Sequence, residues 1–235
     1  MTRLRRAAII AFWLHLLAGI SMAFVLRNGL ETNGNLQDRL VFLVNHRTLW
    51  TAAWFSWTAS ALAILYFYMA FAETHQPALR FAVLLTVAGL GPDLAAQAIE
   101  IGVLPSIANH AFSTNAGVEL FLTLHRIAVM LSGCLANGLY SLTALLLTCF
   151  TRRAHSWWVF VPGFAVAISG FALSAAALLD SVAGMFWTNA FLVPCILFWL
   201  AAVAAFANSG SASKNRGTKG CHAPDRGKNG TLFLV

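Results

Sequence analysis

Six blocks of apolar residues alternate with short polar stretches along the chain, at 7–26, 50–72, 81–103, 127–150, 157–179 and 185–207. Each block runs 20 to 24 residues, and a helix needs roughly 20 to cross the hydrocarbon core of a bilayer. The apolar residues form continuous runs rather than a stripe of short period, as expected of helices surrounded by lipid and by one another. Backbone groups in hydrocarbon have no water to bond, so the blocks are read as helices, not strands. The pattern predicts an all-α, polytopic integral membrane protein: one bundle of six transmembrane helices over residues 1–207.

The polar stretches are uneven. The first block follows Arg3, Arg5 and Arg6, as in a signal peptide. Its 20 apolar residues exceed the roughly 7–15 of a signal core, so a retained helix is expected despite the small residues Ser21 and Ala23. The stretch 27–49 holds the turn Asn33-Gly34-Asn35, then Leu36, Leu40, Leu43 and Val44 at helical spacing. That predicts a short helix lying on the outer surface. The stretch 104–120 opens on Pro105, carries almost no charge and is expected to dip into the interface or cap the bundle. Residues 208–235 are rich in Gly, Ser, Lys and Asn and are expected to be a disordered cytoplasmic tail. The sequon Asn229-Gly230-Thr231 falls in this tail, on the wrong side for glycosylation, and Cys221-His222 alone is too little for a metal site.

Composition narrows the class. The chain has 235 residues, of which 59% are hydrophobic and 10% charged. A soluble domain carries about 25% charged residues, so too little polar surface is present to cover a globule in water. The net charge of +7 raises the question of nucleic acid. The basic residues sit between apolar blocks and in the tail, however, which sets orientation rather than a nucleic-acid footprint. With the N-terminus inside, eleven Lys and Arg fall on the cytoplasmic side, five of them in the tail, against four outside (Arg27, Arg39, Arg47 and Arg126). Both termini are therefore expected in the cytoplasm of a cell whose plasma membrane the chain spans. Trp50, Trp54 and Trp187 are expected at the outer interface, and Tyr66, Tyr68, Trp157 and Trp158 at the inner one. Cys134, Cys149 and Cys195 fall in apolar blocks and read as small packing residues.

Chemistry is sought where polar residues interrupt the blocks. Asp93, Gln97 and Glu100 are spaced i, i+4, i+7, which puts all three on one helix face. Lipid offers that face no hydrogen bonds, so it must turn into the bundle. Depth follows from a rise of about 1.5 Å per residue. His15, Asp93 and Asn137 come out near the midplane. Asn45, His46, Arg47, Glu100, His125 and Arg126 lie toward the outer face, with Gln97 between the layers and Asp180 and Asn189 at outer helix ends. The inner half has almost no equivalents. The expectation is a polar pocket between the second, third and fourth spans, opening outward, with a Glu100–Arg126 salt bridge at its rim. Pro92 and Pro194 are expected to kink their helices. Gly133, Gly138, Gly170 and the small residues around Ser174 are expected to let helices approach closely.

No Walker loop, nucleophile elbow, zinc motif or kinase signature occurs, and no cofactor or metal is expected. The partner expected on these grounds is the lipid bilayer, with a small molecule or lipid as the ligand class the pocket leaves open. Three functions fit. The polar cluster specifies packing or partner contact; or the chain is a small proton-coupled transporter with Asp93 titrating and His15 as relay; or it is an intramembrane enzyme on a lipid-like substrate. The enzyme reading requires His46, Glu100 and His125 to converge. The transporter reading requires Asp93 to face a cavity rather than be sealed against Arg126.

Overall fold

The computed structural model describes residues 2–206 apart from Gln76 and Ser113. The tail 208–235, with its sequon and Cys221-His222, lies outside the described residues. The chain runs α1 (Arg3–Asn28), α2 (Leu36–Asn45), α3 (Arg47–His75), α4 (Arg80–Ala111), α5 (Asn115–Phe150), α6 (Trp157–Leu178) and α7 (Val182–Phe206). Six of these, all but α2, are long and apolar enough to cross a membrane. Among the described residues no strand occurs.

Local sequence explains where the helices begin. Thr2 caps α1 by accepting from the Arg5 N–H. Asn35, the last residue of the turn, accepts from the N–H groups of Gln37 and Asp38 and so starts α2. Thr114 accepts from the Gly117 N–H at 3.0 Å and starts α5. Each of these side chains satisfies a donor that the first helical turn leaves unpaired.

The long helices form a closed ring. α1 packs on α3, α3 on α4, α4 on α5, α5 on α6, α6 on α7, and α7 returns to α1. Small residues bring α5 and α6 together as expected: a Cβ on Gly133 would sit 3.1 Å from that of Ala177, and one on Gly138 would sit 3.5 Å from the Ser174 hydroxyl. Apolar clusters pack at both ends of the ring. At the end carrying residue 4, Phe67, Tyr68 and Phe71 pack around the fully buried Trp199. His155, in the turn after α5, lies tilted against His75 with ring centroids 4.4 Å apart, and burial together with that neighbour pushes its pKa down to about 4. At the other end Leu40 and Leu43 of α2 meet Trp50, Leu104 and Phe121. Outside the ring, Trp13, Phe55, Phe81, Trp157, Trp158 and Trp187 are exposed, which is the surface a lipid environment solvates.

The stretch 104–120 corrects the sequence reading. It is not a loop: α4 continues to Ala111 and α5 starts at Asn115. The continuation works through a π-helical segment, Ile99–Val103, in which the Leu104 N–H bonds the Ile99 carbonyl five residues back. The next donor in that pattern falls on Pro105, which has no N–H. The Glu100 carbonyl would go unpaired, and the Trp50 indole N–H donates to it at 2.7 Å instead. Gly29 permits the fit, since a Cβ there would lie 2.7 Å from the Trp50 ring. Trp50→Phe keeps an aromatic ring but removes the donor and part of the buried ring volume. It is expected to lower the unfolding free energy by about 1–3 kcal/mol, read by chemical unfolding in detergent micelles; an unchanged midpoint would contradict this account.

Trp50 and Trp54 are therefore not lipid-interface anchors; both are buried, as is Tyr68, whose hydroxyl reaches the Tyr140 carbonyl at 3.4 Å. Pro92 and Pro194 lie inside helices that run on past them.

Candidate functional site

The ring encloses a cavity of about 670 Å³. Residues from all six long helices line it, including His15, Trp54, Asp93, His125, Val166 and Met185. The pocket is thus wider than the space between the second, third and fourth spans. Its walls are largely apolar, and its carboxylates stand on α4 and at the end of α1.

Asp93, Gln97 and Glu100 all turn inward as their spacing requires, each less than 10% exposed. They then find different partners. Asp93 accepts from the Ser132 hydroxyl at 2.7 Å and the Tyr140 hydroxyl at 3.1 Å, both on α5, and the Gln97 side chain also hydrogen-bonds to it. Ser132 lies in a second π-helical segment, Met130–Ala136, beside α4. Such segments insert an extra residue into a turn and occur often at functional sites. Gln97 turns to α3, where its amide oxygen accepts from Thr58. One layer inward, Thr86 donates to Thr143 at 2.9 Å.

Glu100 heads a second group. Its Oε1 lies 3.2 Å from His125 Nδ1, and His125 Nε2 lies 3.8 Å from Glu31 Oε1. These contacts fall short of aligned hydrogen bonds, and the second carboxylate oxygens of Glu31 and Glu100 are buried with no hydrogen-bond partner among the described residues. His125 lies parallel to Phe121, and the Arg39 guanidinium lies over the Phe121 ring at 5.5 Å. Arg39 is buried on α2, with its Nε donating to the Gly29 carbonyl at 3.1 Å. Burial pushes its guanidinium down from the usual arginine range, while the charges of Glu31 and Glu100 pull it back up.

The expected Glu100–Arg126 bridge does not form. Arg126 pairs with Asp180 at 2.7 Å and ties α5 to the turn between α6 and α7. Neighbours on a helix point about 100° apart, so when His125 faces α4 its successor cannot. Asp180 takes φ 57, a left-handed conformation that Asp tolerates better than most residues.

Asn45, His46 and Arg47 also fall outside the pocket, all three exposed. His46 ends α2 and Arg47 opens α3. Leu40, Leu43 and Trp50 occupy the inward positions around that junction, which leaves residues 44–47 facing out. His15 and Asn137 do line the cavity. The His15 Nδ1 donates to the Ala11 carbonyl at 2.8 Å, four residues back. Asn137 is half-buried.

Sequence reasoning missed Glu31, Arg39, Ser132 and Tyr140. The first two sit in a stretch taken for exposed surface. The last two lie on the span after Asp93 at +39 and +47, and single hydroxyls in an apolar block carry no distinguishing signal. Among the described residues, no group of three His, Cys, Asp or Glu side chains is placed to hold a metal ion.

These features define a ring of six long helices around an apolar cavity with buried carboxylates in its wall. No family model, no curated protein and no solved structure matches the chain.

Proposed function

We propose that this is a multi-pass membrane protein, with both termini in the cytoplasm, that binds a small amphipathic solute in its central cavity and carries it across the bilayer. Asp93 is the group that exchanges a proton as the solute comes and goes. The observation that carries the reading is the cavity itself. Polar groups kept only to lock helices together pack against each other and leave no space, because protein interiors are close-packed. Here Asp93 and Glu100 border about 670 Å³ of space. Asp93 is held by hydroxyls with no basic side chain bonded to it among the described residues. A carboxylate at midspan in that state calls for a proton or a cation from elsewhere.

The orientation rests on charge. Arg3, Arg5, Arg6, Arg80, Arg152 and Arg153 gather at the end where Arg3 pairs with Glu73 at 2.5 Å, and the tail adds five more basic residues. That end is the cytoplasmic one by the positive-inside rule. The cavity then runs toward the outer face, where Arg27, Glu31 and Val182 line it. The packing reading keeps Arg126–Asp180, whose carboxylate is largely exposed. The enzyme reading loses His46, which is exposed rather than convergent with Glu100 and His125.

Cysteine accessibility tests the carrier reading. In a chain with its four native cysteines replaced, Asn137→Cys is expected to react with a charged, membrane-impermeant methanethiosulfonate added to the outer face, and far more slowly from the face bearing the termini. Leu135→Cys, on the exposed apolar exterior, is expected to stay inert, because hydrocarbon suppresses the thiolate. Equal inertness of both positions from both sides would return the cluster to a packing role.

A further inference from the structure

We infer that the solute is a protonated organic amine with an apolar body, its ammonium seated beside Asp93 and Glu100; this rests on the carrier reading above. Three carboxylates line the cavity, those of Glu31, Asp93 and Glu100. The one arginine among the lining residues, Arg27, is exposed at the mouth. Arg39 acts electrostatically on Glu31 and Glu100 but does not line the cavity, and Arg126 is engaged by Asp180. An anionic solute would meet repulsion here, and a neutral one without a donor would leave buried acceptors unpaired.

Those acceptors are specific. Glu100 is 2% exposed, and its Oε2, like that of Glu31, has no hydrogen-bond partner. A buried carboxylate oxygen without a donor gains a partner when its side chain turns toward an N–H in the cavity, and a charge-assisted bond is the strong kind. The rest of the lining suits an apolar body. Ile64, Leu173 and Val193 supply aliphatic surface, and Trp54 and Trp57 supply aromatic faces that also attract a cation. A volume of about 670 Å³ falls within the range of small-molecule pockets. Because the open oxygens ask for donated hydrogens, an amine bearing N–H is favoured over a quaternary ammonium of the same shape.

Three probes of nearly equal shape separate charge, donor and shape: dibenzylamine, dibenzyldimethylammonium and dibenzyl ether. Each is titrated calorimetrically against the full chain in detergent micelles at pH 7. The amine is expected to bind at least about tenfold tighter than the ether, with the quaternary cation between them. Glu100→Gln and Asp93→Asn are each expected to narrow the amine-to-ether ratio. The wild-type comparison needs no variant, so it stands even where a variant fails to fold. An ether that binds as tightly as the amine overturns the inference and leaves the cavity reading intact. Failure of all three probes to bind overturns it too, and the Asn137→Cys labelling then decides separately whether the carrier reading falls with it.

Discussion

His125→Ala is expected to destabilise the chain by about 3 kcal/mol, because it deprives the buried Glu100 and the half-buried Glu31 of the group that stands between them. His125 is 1% exposed, and it bridges α5 to α4 and to the segment between α1 and α2. Arg39, held on the Gly29 carbonyl, is not placed to stand in for it. Chemical unfolding in micelles measures the loss. A second variant separates charge from cavity formation: His125→Ala combined with Glu100→Gln is expected to recover part of the stability, since the uncompensated charge is gone while the void remains. A single variant within about 0.5 kcal/mol of wild type would mean that the three side chains are neighbours without consequence.

The same residues show how far the sequence could be read. The inward turn of Asp93, Gln97 and Glu100 was legible because three polar groups at helical spacing leave one solution in an apolar surround. The helix over Leu36–Asn45 was legible from its turn and its leucines. What depth could not supply was azimuth. His125 and Arg126 sit at one level, and only packing decides which faces α4. The extension of α4 past Pro105 was hidden because the donor that makes it tolerable, Trp50, stands 55 positions earlier. Arg39 was misread because a basic residue between apolar blocks is normally at the surface. A single short helix folded over the ring end buries it.

Asp93→Asn is expected to keep the fold and to flatten the pH dependence of amine binding. Asparagine is nearly isosteric. Its Oδ1 can accept from one of the two hydroxyls, and the other hydroxyl can turn to accept from the amide. The expected loss of stability is therefore small, below about 1 kcal/mol. Function is different, because an amide binds no proton in this range and carries no charge. On the carrier reading, proton and amine compete for Asp93, with Glu100 as the second carboxylate of the site. Dibenzylamine affinity is expected to fall as pH drops through the Asp93 carboxylate's own titration, approaching tenfold per unit. The variant is expected to bind more weakly and with a shallower pH profile across the same range. Tyr140→Phe offers a graded test, since it removes one of the two hydroxyls that favour the ionised form. Losing it makes the carboxylate hold its proton more tightly, so the pH at which amine binding fails should move upward. A merely structural Asp93 would shift stability in both variants and leave the pH profile where it was; that outcome would remove the proton from the mechanism.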